Sequence, residues 1–349
     1  MSKALLTVGL LVSLYSATAA EPVRALIITG ETDLPYHDWR TSTPFLREVL
    51  ERTGRFVVKV IEEPRALDSA ALSGYDVLVL NYNGPRWGER AEAAVEQFIR
   101  SGKGMIAIHG VSYGPFYGQN LKTRQMAGDP WPAYADLMGV SWKLENIGHS
   151  RRHVFPVKWV DSNHPVARGL APTFLANDEL YHKMDLKPGV HVLASAFSDT
   201  KMGGTGKEEP ILWTTAFGKG RVVHMTLGHD LSAMTQTGFV TAFARGAEWA
   251  ATREVTLPAS ISAHPRLARD AVRVLAVTGG HSYPTSFYSV LEGYSDITWS
   301  HATSQNQAFR ENLRSRFDVL VLHDMLETIS EKERANLQAF VEAGGGIVS

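Results

Sequence analysis

Cysteine is absent from this sequence of 349 residues. Disulfides, thiolate metal ligands and a thiol nucleophile are excluded together. An excess of one charge sign is absent too, since 35 Lys and Arg balance 36 Asp and Glu. Without a basic surplus no nucleic-acid partner is expected. An apolar run long enough to span a bilayer is also missing at the start of the chain. There Lys3 precedes an apolar stretch from Ala4 to Leu14, followed by the small residues Ala17-Thr18-Ala19-Ala20. The stretch is too short for a spanning helix and has the shape of a secretory leader. The alternative is a buried first strand or helix. On the leader reading the mature chain begins near Ala20 or Glu21. It then works in the periplasm or outside the cell, with no membrane attachment after cleavage. A disulfide-free exported protein must rest on a large core, which this length allows.

What is present is an alternation of strands and helices. Val23 to Thr29, Phe56 to Ile61 and Tyr75 to Tyr82 read as strands, and Ala91 to Ile99 as an amphipathic helix. Thr43-Pro44 predicts the opening of another helix, a cap followed by proline at the first helical position. The organising stretch is Gly102 to Gly118, GKGMIAIHGVSYGPFYG. Its apolar run ends at His109, as a strand buried on both faces would. Strands alternating with helices imply a parallel sheet with right-handed crossovers. Further on, His153 to Val160 and His191 to Phe197 predict strands, Ile211 to Thr226 a hairpin and Thr237 to Ala251 a helix. Residues 252–270 read as a linker. After it the chain repeats itself: Val272 to Gly280 echoes Val23 to Gly30, and Phe317 to Leu322 echoes Tyr75 to Leu80. The second copy, 271–349, is expected to be incomplete and unable to fold alone.

In an open α/β sheet, ligands gather outside the carboxyl ends of the strands. Tyr36, His37, Asp38 and Trp39 leave the first strand. Asn81 and Asn83 leave the third, and His109, Ser112 and Tyr113 the fourth. Asp178, Glu179 and Tyr181 come from a DELY stretch, and His229 with Asp230 from LGHD. Histidines with carboxylates can hold a divalent metal or act as an acid–base pair, and both readings stay open. Gly110-Val111-Ser112-Tyr113-Gly114 also matches G-x-S-x-G, so a serine hydrolase with Ser112 as nucleophile is an alternative.

With YHDW (Tyr36 to Trp39), GKGMIAIH (Gly102 to His109), NDELY (Asn177 to Tyr181) and GKGRVVHMTLGHD (Gly218 to Asp230), the chain resembles the ThuA-like (trehalose utilisation) family. The resemblance implies the class I glutamine amidotransferase-like fold, a flavodoxin-like, doubly wound parallel α/β sheet over residues 21–251. It also implies a small-molecule carbohydrate partner, a disaccharide or a keto-sugar. Amidotransferases carry a cysteine after the fourth strand, and here that region reads His109-Gly110-Val111-Ser112, so thiolate glutamine hydrolysis is excluded. The working assignment makes His109, Glu179, His229 and Asp178 catalytic. Tyr36, His37, Asp38, Trp39, Asn81, Ser112, Tyr113, Tyr181 and Asp230 are assigned to substrate. A divalent metal is the candidate cofactor, and a homo-oligomer is compatible with the composition. A non-catalytic sugar-binding module is the alternative from another class.

Overall fold

A computed structural model describes residues 21–30, 37–112, 114–120, 123, 125–142, 147–263, 272–281, 283, 287, 290–291, 297–302, 304–325 and 328–349. Tyr36 and Tyr113, residues 1–20 and residues 264–271 fall outside the described residues. The first unit contains β1 (Val23–Ile28), α1 (Trp39–Arg52), β2 (Phe56–Ile61), β3 (Val77–Leu80), α2 (Glu89–Arg100) and β4 (Gly104–Ile108). It continues with β5 (His153–Trp159), β6 (Thr173–Asp178), β7 (His191–Phe197), β8 (Glu208–Phe217), β9 (Gly220–Met225) and α3 (Thr237–Thr252).

Nine strands make one sheet in the order β6-β5-β7-β8-β9-β4-β3-β1-β2. The right-hand half, β9-β4-β3-β1-β2, is parallel and has the flavodoxin-like order. The left-hand half is antiparallel and hangs from β9 through the β8–β9 hairpin. Every residue of β4 is buried, because helices cover both faces there. On one face Ile27, Val79, Ile106 and Val223 pack against Leu46 and Leu50 of α1 and Phe243 and Ala247 of α3. On the other, Leu26, Leu78, Met105 and Val222 meet Val95, Phe98 and Ile99 of α2. Each such side chain is worth roughly 1.5–3 kcal/mol of burial, which compensates for the missing disulfides. No described helix is long and apolar enough to cross a membrane.

Two expectations need correction. The first helix opens at Trp39, not at Thr43-Pro44. The Asp38 side chain accepts the Arg40 N–H and caps it, and Pro44 lies inside the helix. The Thr43 hydroxyl is used instead to meet Thr29 Oγ1 at 2.8 Å, tying α1 to the end of β1. The supposed linker is also ordered over its first half. Buried Glu248 accepts from Thr256 N and Leu257 N, Arg245 donates to the carbonyls of Leu257 and Pro258, and Ile261 N donates to Thr241 Oγ1. Residues 252–263 therefore belong to the first unit.

The second copy contains β10 (Val272–Gly279), β11 (Ile297–Ala302), β12 (Val319–Asp324), α4 (Glu331–Glu342) and β13 (Gly346–Val348). Its sheet order is β11-β10-β12-β13, all parallel. That is the order β2-β1-β3-β4 of the first unit, so the internal repeat is topological as well as sequential.

Candidate active site

β4 ends where the chain must turn sharply. His109 takes φ +43°, an unusual left-handed conformation for a residue with a side chain, and a short 3₁₀ helix follows over His109–Ser112. This is the strained elbow position at the end of a central strand. It falls three residues before Ser112, so Ser112 does not occupy the elbow that a serine nucleophile of the G-x-S-x-G type requires. Glycine next keeps the cluster in place: a Cβ on Gly110 would come within 2.7 Å of Asn83 Nδ2 and 2.8 Å of His37 Nδ1 and push those side chains aside.

The turn sends His109 into a buried cluster. Its Nδ1 lies 2.6 Å from the Thr226 carbonyl oxygen. A carbonyl only accepts, so Nδ1 carries the proton, and Nε2 of the neutral ring keeps its lone pair. That Nε2 faces the Tyr181 hydroxyl at 2.9 Å and His229 Nδ1 at 3.3 Å. His37 completes the group from the loop before α1. The three rings meet edge to face, with centroids 5.0, 5.0 and 5.2 Å apart. Glu179 Oε2 stands 3.2 Å from His229 Nδ1 and 3.4 Å from His149 Nδ1.

Burial decides the charge states. It pushes His37 down to about 3 and His109 well below its ordinary value. Burial opposes ionisation of Glu179 and His229 as well. There the mutual hydrogen bond and opposite charges win, holding Glu179 below and His229 above their ordinary values.

The cleft at these strand ends is narrow, with a cavity volume of about 30 Å³, and its walls include His37, Trp39, Asn81, Asn83, His109 and His229. Asp38 and Asp230 also line it, but each uses one carboxylate oxygen to cap a helix, through Arg40 N and Ala233 N. Asn81 lines it while its amide is tied to Ser42 Oγ and Thr43 Oγ1 at 2.9 and 3.1 Å. Asp178, assigned to catalysis, is turned away. Its buried carboxylate accepts the N–H groups of Gly228, Glu179 and His229, and burial lifts it to about 7 despite those bonds. It therefore positions the loop that carries His229, where Gly228 sits at φ +113°. The side chain of Ser112 lies outside the described residues.

Three participants stood outside the assigned set. Asn83 donates to the Gly110 carbonyl at 2.8 Å and lies 3.3 Å from His37 Nδ1. His149 reaches Glu179 from a short strand that pairs with Tyr181–His182. The Thr226 carbonyl fixes the tautomer of His109. Asn83 had a signal, its place two residues beyond Asn81 at a strand exit. The other two had none.

The trehalose-utilisation (ThuA) family profile matches residues 24–250, the unit that holds this cluster. The chain belongs to that family. Among solved structures, a ThuA-like protein of Parabacteroides merdae is 29% identical, with a TM-score of 0.58 over 68% of this chain and 93% of that one. A ThuA-like protein of Bacteroides uniformis is 18% identical, with a TM-score of 0.51 over 69% of this chain and 97% of that one, a likeness of fold. A comparison with curated proteins finds no match. Membership of the ThuA family supports a role in carbohydrate metabolism.

Proposed function

We propose that this ThuA protein is an enzyme of carbohydrate catabolism that performs acid–base or metal-assisted chemistry on a glycoside or keto-sugar. The observation that carries the reading is the His229–Glu179 pair, 3.2 Å apart and each shifted towards its charged form by the other, beside His109 at a cleft in strand-exit position. An imidazole at the cleft wall paired with a carboxylate behind it suits proton transfer to and from a sugar. Tyr181 steadies His109, and Trp39 offers an apolar wall for a sugar face. The test is turnover of a panel of disaccharides, trehalose among them, and of their 3-keto derivatives, followed by nuclear magnetic resonance. Wild-type turnover that is lost in His229→Gln supports the reading. A chain that turns over none of the panel, or turns it over equally well without His229, removes it. If His109→Ala binds sugar with undiminished affinity and wild type turns nothing over, the sugar-binding module is the better description.

We further propose that the protein acts outside the cytoplasm, on the strength of the leader pattern in residues 1–20. Sequencing the amino terminus of the cell-expressed protein should give Ala20 or Glu21. A cytosolic chain retaining Met1 would overturn this.

A further inference from the structure

We infer that His37, His109 and His229 form a binding site for one divalent transition-metal ion, with Glu179 as its charge-balancing carboxylate. The inference deepens the acid–base or metal-assisted reading of this cleft, but it stands on ligand geometry and does not need the carbohydrate assignment. The three side chains each offer a ring nitrogen, and these nitrogens lie within 4.8 Å of one another. Among the described residues no other group of three such side chains comes together. His109 Nε2 and His229 Nδ1 are 3.3 Å apart. Two nitrogens bonded at about 2.0–2.1 Å to a tetrahedral ion stand roughly 3.3–3.4 Å apart, so this pair is already spaced as ligands. His37 reaches the group from the segment leading into α1 and would move inward to complete the set.

The surroundings are those of a ligand shell. A backbone carbonyl holds the far nitrogen of His109 and turns Nε2 into the cluster, which is how metal-bound imidazoles are oriented; there Nε2 accepts from the Tyr181 hydroxyl, which an ion would displace. Glu179 Oε2 is 3.2 Å from His229 Nδ1, so an ion bonded there has an anionic neighbour. In the cleft wall beside them, the buried Asn83 Oδ1 has no hydrogen-bond partner, a sign that the cleft is shaped for an occupant. Nitrogen donors select zinc, cobalt, nickel or iron over magnesium and calcium, which want oxygen. Three imidazoles leave a coordination position for water or a sugar oxygen, the pattern of catalytic rather than structural sites.

The experiment uses the full chain without a polyhistidine tag, stripped with chelator and titrated with Zn²⁺ and Co²⁺ by calorimetry and visible absorption. A single equivalent should bind, and Co²⁺ should give the absorption of a nitrogen-ligated ion. His37→Gln and His229→Gln, checked for folding by circular dichroism, should each abolish that spectrum. Glu179→Gln, removing an outer partner, should weaken binding by roughly tenfold to a hundredfold without changing stoichiometry. His281→Gln in the second copy should change nothing. Absence of binding, or binding unchanged in both folded histidine variants, overturns the site. An ion bound at this site with no turnover of any sugar removes the carbohydrate reading and leaves the metal site standing. Sugar turnover by a metal-free chain does the reverse.

Discussion

The two copies begin alike down to single hydrogen bonds. In the first, Arg24 donates to Asp76 from its backbone N–H, Nε and a terminal guanidinium nitrogen, all at 3.0 Å. In the second, Arg273 donates to Asp318 from the same three groups at 3.0, 2.8 and 2.8 Å. The strand order and the parallel pairing are shared. What differs is what lies around the fourth strand. β4 is buried along its whole length between α2 and α3 and is flanked by β9, which leads to His229. β13 is exposed along its whole length, with Ile347 43% and Val348 56% accessible. The comparison teaches that the four-strand motif carries the fold's signature but does not assemble the histidine cluster by itself. The site needs segments that come after it: the elbow at His109, the Glu179 turn after β6 and the His229 loop after β9.

The largest expected effect tests where the chemistry lies. His109→Ala should cost on the order of a thousandfold in turnover, the range of a lost acid–base group. His323→Ala, at a strand exit of the second copy, should leave turnover within about twofold, as surface-like changes outside a site do. Kinetics on the substrate that emerges from the panel would read both. Equal losses would break the contrast between the copies.

The next effect concerns independence. Residues 21–263 alone should unfold cooperatively in urea, because that piece owns both faces of its sheet. Residues 271–349 alone should show no cooperative transition by circular dichroism. With β13 uncovered, apolar burial does not offset about 1–2 kcal/mol of backbone entropy per ordered residue. A sharp monomeric transition in the second fragment would sink the claim.

A third effect is pH-linked. His224 is fully buried against Trp213, with ring centroids 4.4 Å apart, and neither ring nitrogen has a hydrogen-bond partner. Burial depresses it from 6.5 to about 3. Between those values the unfolded chain binds a proton that the folded chain refuses, so stability falls as pH drops below 6.5. At pH 5 the loss is about 2 kcal/mol. His301 in the second copy, pushed to about 4 by burial, acts with the same sign. Urea titrations of His224→Phe at pH 7.5 and 5 should show the pH-dependent loss reduced by that amount. An unchanged slope would mean that the ring is solvated.

The smallest effect returns to the shared ion pair. Asp76→Asn and Asp318→Asn should each cost about 0.5–1 kcal/mol, since both pairs are partly exposed. Each carboxylate has a second cation, Lys103 at 2.8 Å from Asp76 and Arg314 at 2.7 Å from Asp318, so a much larger cost at Asp76 would show that the lysine contributes more than the arginine.

Much of this was legible in the residues. Apolar runs bounded by glycine located β1 to β4, since a strand buried on both faces has no polar side to display. His109, Glu179 and His229 were found because strand exits in such sheets converge. Asp178 was misjudged because a carboxylate beside an active loop looks the same in sequence whether it faces the cleft or the backbone. The start of α1 was misplaced because Thr43-Pro44 imitates a cap, while the Asp38 cap depends on where the chain leaves β1.

Composition and periodicity were enough to settle the alternation of strands and helices, the repeat and the lack of thiol chemistry, because these depend on local backbone preference and residue type. The meeting of His37, His109 and His229, the carbonyl that orients His109 and the turn of Asp178 towards the Gly228 and His229 backbone arose only on folding. They join positions up to 192 residues apart (His229 less His37), and their spacing follows from sheet order and a single left-handed turn, which no local pattern encodes.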